Sequence, residues 1–367
     1  MRILVSCIPY DRGKSGISVY MRCLIDALRK QGHTLTLLVE PGDSGFFPGF
    51  ECREAPGWTK RPVCSMFYHL FILPFFLRKN AYDFCIIAAA NRRTFAFYPL
   101  FTIAVVHDLA QYHVENKYDR FRMLYLKTVL PFFVRRAPSV VAISRSTAAD
   151  LETYWHVPPE KITLNYNGLS LSPEGKSGWL AKHGLEPHSY LLYISRIEHP
   201  GKNHLNLIRA FEMLPPGLTS KYRLVLAGSD WHGADVVHGY AEKSPLRDRI
   251  LFAGFVDNSD LAEAYRNAAL YVFPSFFEGF GLSLIEAMHY GVPCCASDNS
   301  SLGEIGEGAA LLFPPSDAEA ISEALRRILT EEALRKKLIE AGYSRAAEFD
   351  WTRHAQKMVE VYEHARK

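Results

Sequence analysis

Short apolar runs alternate along this chain with glycine-containing loops and amphipathic segments, and this alternation limits the fold more than any other feature. The run at 3–10, ILVSCIPY, is followed by Gly13 and Gly16, by a segment with helical apolar spacing, and by TLTLLVE at 34–40. The same order recurs between residues 190 and 313. Strands separated by helical crossovers pair in parallel and are buried on both faces. We therefore predict an α/β protein with parallel sheets, and its 367 residues are enough for two domains.

Charge and cysteine usage exclude several classes of protein. The 42 basic and 39 acidic residues nearly balance, so no overall positive field indicates nucleic-acid binding. The seven cysteines are odd in number and form no C-x-x-C pair, which indicates a reducing cytoplasm rather than a disulfide framework or zinc knuckle. The N-terminal apolar run is too short for a signal peptide, and no run reaches the roughly 18–20 residues of a membrane span.

The stretch at 273–288, FPSFFEGFGLSLIEAM, predicts a strand, a glycine-rich loop and a helix. Glu278 lies in the predicted loop, and Glu286 lies about one turn into the predicted helix. The backbone N–H groups of Gly281, Leu282 and Ser283 are donors of a helix start, which is a ready site for phosphate. Either Glu alone would fit a solvated helix face, but the combination is what a sugar phosphate requires.

Two cations follow the strand SYLLYIS of the second half. Arg196 and Lys202 are six residues apart across a predicted strand-to-helix loop. They could be solvated surface cations, or they could converge on one diphosphate, with arginine as a fork and lysine as a point charge. Fixed positive charge would stabilise a diphosphate leaving group as it gains negative charge.

One histidine and one glycine loop of the first half are further candidates. His107 ends the predicted strand FTIAVVHDL, at the edge where α/β folds bind ligands, although a structural histidine is the alternative. Gly13-Lys14-Ser15 ends like a nucleotide-binding P-loop, but Ile8 stands where that loop needs its leading glycine. We therefore do not predict a P-loop enzyme.

The segment E-G-F-G-L-S-L-I-E-A-M, followed by G-V-P, resembles the E-x7-E region of retaining glycosyltransferases of the GT-B fold, in particular glycosyltransferase family 4. The H-D-L segment at His107 resembles the catalytic-cleft histidine of that family. The resemblance implies two Rossmann-like domains with a cleft between them. It implies an acceptor-side domain at 1–172, a nucleotide-sugar domain at 173–350, and a C-terminal helix at 351–367 that packs back on the first domain.

The resemblance also implies roles for individual residues. Glu286 would hold the nucleotide ribose, Glu278 would hold donor-sugar hydroxyls, and His107 would orient the sugar. Gly16 would approach the diphosphate, although the family usually has two adjacent glycines there. The donor-binding set that follows from the resemblance is Gly16, Arg196, Lys202, Phe255, Val256, Glu278, Gly279, Phe280, Gly281, Leu282, Ser283 and Glu286. The catalytic set is His107, Glu278, Arg196 and Lys202.

The predicted activity is transfer of a hexose, with retention, from a nucleotide-diphosphate sugar to a glycan or lipid-linked acceptor in cell-surface polysaccharide synthesis. GDP-mannose is the favoured donor, and UDP- or dTDP-sugars are the alternative. No D-x-D motif occurs, so neither a metal nor another cofactor is expected. Two other classes stay open, namely a sugar-nucleotide-binding scaffold without activity and a retaining glycosidase, whose paired carboxylates lie about 5–5.5 Å apart.

Two basic, aromatic segments of the first half have two interpretations. They are CSMFYHLFILPFFLRK at 64–79 and KYDRFRMLYLKTVLPFFVRR at 117–136. The first could be a core helix that is kinked at Pro74. Alternatively, both segments could lie on the protein surface and bind an anionic membrane. We expect a cytoplasmic protein, with peripheral association at the inner face of the cytoplasmic membrane under the second interpretation.

Overall fold

The computed structural model describes residues 1–13, 15–77, 81–114, 120–171, 175 and 177–366. Two compact units divide the chain. The first joins Met1–Gly168 to Asp350–Lys367, and the second is Leu169–Phe349. The division therefore falls four residues before the predicted one at 172/173, and residues 172–174 lie outside the described ranges. The prediction of two parallel-sheet domains is confirmed.

The first unit contains a parallel sheet of seven strands. Its strands are β1 Arg2–Ser6, β2 Thr34–Val39, β3 Glu51–Glu54, β4 Phe84–Ile87, β5 Thr102–Val106, β6 Ser139–Ala142 and β7 Ile162–Leu164. The spatial order is β3-β2-β1-β4-β5-β6-β7, and every pairing is parallel. The direction of winding reverses between β1 and β4, which makes that point the crevice of the sheet.

Helices of the first unit lie between these strands. They are α1 Gly16–Lys30, α2 Pro62–Phe67, α3 Leu73–Phe76, α4 Arg120–Leu124, α5 Leu130–Val134 and α6 Arg145–Trp155. A π-helical turn, Tyr68–Ile72, joins α2 to α3, and another, Tyr125–Val129, joins α4 to α5. Each π-turn is followed by a proline, which has no N–H to give to the preceding turn. In the first segment the widened turn lies just before Pro74, the residue at which the core-helix interpretation placed a kink.

The second unit contains a parallel sheet of six strands. Its strands are β8 Tyr190–Ile194, β9 Arg223–Ala227, β10 Ile250–Gly254, β11 Leu270–Phe273, β12 Cys294–Ser297 and β13 Leu311–Phe313. Their spatial order is β10-β9-β8-β11-β12-β13. The reversal of winding here falls between β8 and β11.

Nine helices of the second unit are described. They are α7 Trp179–His183, α8 His204–Glu212, α9 Pro216–Lys221, α10 Ala234–Lys243, α11 Asn258–Arg266, α12 Leu282–His289, α13 Ser300–Gly306, α14 Ala318–Thr330 and α15 Glu332–Ala346. In the parts of the chain that the structure describes, no helix is both long and apolar enough to cross a bilayer.

The C-terminal helix, α16 Trp351–Ala365, belongs to the first unit. His354 is buried on it, and burial lowers its pKa to about 4, so its imidazole is neutral near pH 7. Its Nδ1 donates to the carbonyl of Tyr166 at 2.8 Å, and its Nε2 accepts from the hydroxyl of Tyr20 on α1 at 2.9 Å. Tyr362 stacks on Phe84 of β4, with ring centroids 4.7 Å apart. Polar and aromatic contacts therefore anchor the returning helix.

Gly168 allows the chain to approach the start of α16 closely. A Cβ atom at this position would lie 2.4 Å from the backbone nitrogen of Trp351 and 2.5 Å from its Cγ. Both distances are well inside van der Waals contact, and one of the two atoms belongs to the backbone. Any side chain at residue 168 would therefore displace the helix that returns to the first unit.

Gly168→Ala should destabilise the first unit by about 1–3 kcal/mol, because overpacking forces backbone shifts of this cost. Urea unfolding, followed by circular dichroism, measures the change. Gly57→Ala is the matched control, since residue 57 is exposed and its Cβ would meet nothing within 4 Å. Equal stability of the two variants would contradict the close approach.

Candidate active site

The candidate site lies at the carboxyl edge of the second sheet, where the winding reverses between β8 and β11. The loop after β8 carries Arg196 and Lys202, and the loop after β11 carries Glu278 and Gly281. The predicted strand, glycine loop and helix at 273–288 are confirmed as β11, a loop at 274–281 and α12. Because β8 and β11 are neighbours in the sheet, the loop with the two cations and the loop with Glu278 lie next to each other.

Backbone and side-chain hydrogen bonds hold these two loops together. The N–H of Phe276 donates to the carbonyl of Gly201 at 3.0 Å. The Asn203 side chain donates from Nδ2 to the carbonyl of Pro274 at 2.8 Å and to that of Pro315 at 2.7 Å. Asn203 is buried, so these bonds satisfy its donor group away from water.

Tyr193, which is buried on β8, fixes the backbone of the lysine itself. Its hydroxyl donates to the carbonyl of Lys202 at 3.0 Å and hydrogen-bonds the hydroxyl of Ser275 at 2.9 Å. Tyr193 and Asn203 were not predicted as site residues. A tyrosine within an apolar strand run commonly packs in the core, so no local pattern distinguishes Tyr193 from its apolar neighbours.

Lys202 and Glu278 form an ion pair in this arrangement. The Nζ of Lys202 lies 2.6 Å from Oε1 of Glu278. The two side chains are only 18% and 16% exposed, so water screens their attraction weakly. Lys202 and Glu278 were predicted as site residues in separate loops, 76 positions apart in the sequence, and the structure places them in contact.

Serines after β12 hold the backbone of Glu278. The N–H of Glu278 donates to Oγ of Ser300 at 3.2 Å, and Oγ of Ser301 donates to the carbonyl of Glu278 at 2.8 Å. Nearby, Nδ2 of Asn299 donates to the carbonyl of Phe276 at 2.8 Å. These residues were missed by the sequence analysis. A polar run directly after a buried strand was the available signal, because it must lie at the same edge of the sheet.

The N-terminus of α12 presents backbone donors beside this loop. Gly281 is its N-cap residue, with a left-handed φ of 106°, and among the described residues no side chain caps the helix. The amides of the first turn, at Leu282 and Ser283, are therefore not bound by a capping side chain. Phe280 is buried edge-on against Phe349, with ring centroids 5.7 Å apart. If Phe280 contacts a bound sugar nucleotide, the contact would thus come from its backbone.

Glu286 lies one turn into α12, as predicted, and is half-buried. The hydroxyl of Tyr265 on α11 donates to its Oε2 at 2.9 Å. Burial raises the pKa of Glu286 to about 7, although the hydrogen bond from Tyr265 lowers it. Near neutral pH this carboxyl group is thus poised between its charged and neutral forms.

Arg196 follows β8 as predicted, but its contacts differ from those of Lys202. Its guanidinium carbon lies 5.0 Å from the ring centroid of Trp231, and Nη2 lies 3.7 Å from Oε2 of Glu198. Trp231 is exposed and was missed by the sequence analysis. Trp231 lies in the loop after β9, and β9 pairs with β8, so its position after a neighbouring strand was the signal.

Phe255 and Val256, two members of the predicted donor-binding set, lie directly after β10. Gly254 closes the strand with a left-handed φ of 71°, the Phe255 side chain is exposed, and the Val256 side chain is buried. The strand belongs to the same carboxyl edge as the loops after β8 and β9. This segment offers mainly backbone groups and one aromatic ring.

Two predicted residues belong to the first unit. His107 follows β5 and is buried, and its Nε2 donates to the carbonyl of Ala88 at 2.7 Å. Burial lowers its pKa to about 4, so it is neutral near pH 7. Gly16 is the exposed first residue of α1, next to the N-cap Ser15. Lys14 lies outside the described residues.

Two family models match most of the chain. Residues 14–172 match the model described as Glycosyltransferase Family 4, and residues 178–345 match the model described as glycosyl transferases group 1. The chain belongs to glycosyltransferase family 4. This glycosyltransferase is accordingly an enzyme, and its two units correspond to the two matched regions.

Relatives of this glycosyltransferase include two proteins of Escherichia coli. O-antigen chain mannosyltransferase B is 28% identical over 265 residues, which are 71% of this chain and 69% of that protein. Serotype-specific mannosyltransferase WbdA is 31% identical over 277 residues, which are 72% of this chain. The matched part is 33% of WbdA, so this chain corresponds to about a third of that relative.

A solved structure supports the fold of the whole glycosyltransferase. Sucrose-phosphate synthase from Thermosynechococcus elongatus superimposes with a TM-score of 0.77 and 22% identity, over 99% of this chain and 98% of that one. The predicted GT-B fold is thereby confirmed. Within the described residues, no three His, Cys, Asp or Glu side chains are arranged to hold a metal ion.

Glu286→Gln should remove a pH-dependent cost to stability. A carboxyl group whose pKa rises on folding, from 4.5 to about 7, destabilises the fold as pH rises through that window. The neutral amide escapes this cost, which is about 3–3.5 kcal/mol once Glu286 is fully ionised.

Urea unfolding at about pH 5 and about pH 8.5 tests this, since the stability advantage of the glutamine variant should grow between the two. Glu340→Gln, at an exposed position of α15, is the matched control. A difference between variant and wild type that does not change with pH would contradict the raised pKa.

Proposed function

We propose that this glycosyltransferase transfers mannose from GDP-mannose, with retention and without a metal ion, to a glycan or lipid-linked acceptor of cell-surface polysaccharide. The observation that carries the proposal is the Lys202–Glu278 ion pair at the point where the second sheet reverses its winding. A cation for phosphate and a carboxylate for sugar hydroxyls meet there within 2.6 Å.

The diphosphate of the donor would bind to the loop after β8 and to the start of α12. Lys202 supplies a point charge, Arg196 supplies a fork of donors, and the amides of Leu282 and Ser283 supply the positive end of the helix dipole. When the sugar–phosphate bond breaks, the leaving diphosphate gains negative charge that these groups stabilise. Such fixed cations take the place of a metal ion, in agreement with the absence of a D-x-D motif in the sequence.

The ribose and the base of the nucleoside would each bind next to this anion site, at different residues. Glu286 accepts hydrogen bonds from the ribose hydroxyls, and its pKa of about 7 falls as those donors favour its charged form. The base lies against the backbone of Gly254–Val256, beside the exposed Phe255 ring.

The transferred sugar would bind to Glu278. When the diphosphate draws Lys202 toward itself, the carboxylate of Glu278 becomes available to accept bonds from sugar hydroxyls. Its negative charge also stabilises the oxocarbenium-like transition state. His107 is neutral, and its Nε2–H already donates to Ala88, so Nδ1 is the atom that accepts a hydrogen bond from the sugar.

Transfer with retention requires no protein nucleophile in this proposal, because the departing diphosphate assists deprotonation of the acceptor on the same face. The choice of mannose is supported by two relatives that are named mannosyltransferases, one of them of the O-antigen chain. The seven cysteines are free thiols in the structure, which suits the reducing cytoplasm in which we place the reaction.

Lys202→Ala should lower kcat at least about 100-fold, because removal of a preorganised charge from a leaving-group site costs this much. Release of GDP from GDP-mannose, in the presence of mannose-terminated oligosaccharides, measures the rate. Lys221→Ala is the control, since Lys221 is an exposed lysine of the same unit. Near-normal turnover by a folded Lys202→Ala protein would refute the diphosphate assignment.

GDP should stabilise the wild-type protein against heat more than UDP, dTDP or ADP at equal concentration, and EDTA should not change the shift. The physical reason is that a ligand that binds only the folded state stabilises it by an amount that grows with the logarithm of its affinity. A larger shift with UDP or dTDP would refute the prediction of a guanosine nucleotide. It would still support a sugar nucleotide as the donor. Loss of the GDP shift in EDTA would overturn the metal-free site.

A further inference from the structure

An eight-residue segment occurs twice in the first unit. ILPFFLRK at 72–79 is matched by VLPFFVRR at 129–136, with Leu-Pro-Phe-Phe common to both and a pair of cations at the C-terminal end of each copy. Residues 78 and 79 of the first copy lie outside the described ranges. The glycosyl-transfer reaction proposed above makes no use of either copy.

Over residues 72–76 and 129–133, the two copies adopt the same local structure. In each, a π-helical turn precedes the proline, the Leu-Pro pair is buried, and the first phenylalanine points outward. Phe75 is 76% exposed and Phe132 is 44% exposed. Burial of Leu and Pro fixes the helix on the core, so the outward direction of each phenylalanine is fixed as well.

An apolar stripe continues from Phe75 along the first of these helices. Val63, Phe67, Phe71 and Phe75 recur every four residues and are 75%, 53%, 42% and 76% exposed. An α-helix has 3.6 residues per turn, so such a spacing would drift around it, but the wider π-turn at 68–72 reduces the drift. The helical irregularity therefore keeps large apolar side chains on one outward face.

Ring contacts connect the stripe to the second copy. Phe67 lies 5.4 Å from Phe71, Phe71 lies 6.2 Å from Phe133, and Phe133 lies 5.0 Å from Phe132, measured between ring centroids. We call the connected surface the aromatic ridge. Its exposed members are Val63, Phe67, Phe71, Phe75 and Phe132, together with Phe97, whose ring centroid lies 4.7 Å from that of Phe75.

The part of the chain that carries the aromatic ridge is rich in basic residues. Residues 55–149 include thirteen Lys or Arg and only four Asp or Glu, whereas the whole chain is nearly balanced. The guanidinium carbon of Arg136 lies 3.5 Å from the ring centroid of Phe132, and that of Arg135 lies 5.3 Å from it. Cations are therefore held over an exposed ring of the aromatic ridge.

We propose that the aromatic ridge binds the surface of an anionic lipid bilayer. Its phenylalanines enter the boundary between headgroups and acyl chains, and the flanking Arg and Lys side chains bind lipid phosphates. A second copy of this chain is disfavoured as the occupant, because pairing of two ridges would bring two strongly positive surfaces together. The attachment is peripheral, and it would hold the enzyme where lipid-linked acceptors lie.

Sedimentation with vesicles of phosphatidylcholine, with and without phosphatidylglycerol, tests this proposal on the whole protein. Wild-type protein should bind only the vesicles that contain phosphatidylglycerol, and binding should fall sharply in about 0.5 M salt. Absence of binding to the anionic vesicles would overturn the proposal.

Two double variants separate the apolar and charged contributions. Phe75→Ser/Phe132→Ser should weaken vesicle binding at least about tenfold, because apolar burial is lost. Arg135→Glu/Arg136→Glu should weaken it by more than about tenfold, because two lipid contacts become repulsive. Urea unfolding confirms that each variant is folded before binding is compared.

Matched controls lie in the second unit. Met213→Ser/Val236→Ser removes two exposed apolar side chains, and Arg335→Glu/Lys337→Glu reverses two exposed charges. Both controls should bind vesicles like the wild type. Equal losses in ridge and control variants would overturn the proposal, as would a wild-type dimer in light scattering that only the ridge variants dissociate.

Discussion

Parallel pairing of every strand in each sheet is the constraint on which the rest of this structure depends. Because all strands of a sheet run in one direction, every loop after a carboxyl end opens at the same edge. The second sheet reverses its winding between β8 and β11, and the loops there diverge enough to leave a crevice. Residues that are far apart in sequence, such as Lys202, Trp231, Glu278 and Ser300, follow neighbouring strands for this reason alone.

The Lys202–Glu278 pair shows how this edge holds charge before a ligand binds. Removing either charge from water is costly, and the 2.6 Å contact offsets part of that cost. Tyr193 and Ser301 donate to the backbone carbonyls of Lys202 and Glu278, and Ser300 accepts from the N–H of Glu278, so neutral groups hold the two backbones in place. In the proposed reaction a diphosphate competes for the lysine, and the sugar receives the carboxylate.

The first unit relies on neutral buried groups instead. Tyr20 of α1 donates its hydroxyl to His354 of α16 and packs edge-on against His107, with ring centroids 4.6 Å apart. Burial keeps both imidazoles uncharged near pH 7, so no ion pair is needed there. The returning C-terminal helix thus contacts the tyrosine that supports the candidate sugar-binding histidine, which links chain ends more than 330 residues apart.

The sequence by itself determined the α/β class, the strand–loop–helix at 273–288, and the candidates Arg196, Lys202, Glu278, Glu286 and His107, because periodicity and glycine placement are local properties of the chain. It could not show that Lys202 contacts Glu278 while Arg196 contacts Trp231, nor that Ser300, Ser301 and Tyr193 support the site. It also left open whether residues 64–77 were core or surface. Those outcomes depend on strand order and on which helix face meets the sheet. Only the tertiary structure decides them, because pairing between distant strands sets which loops and side chains become neighbours.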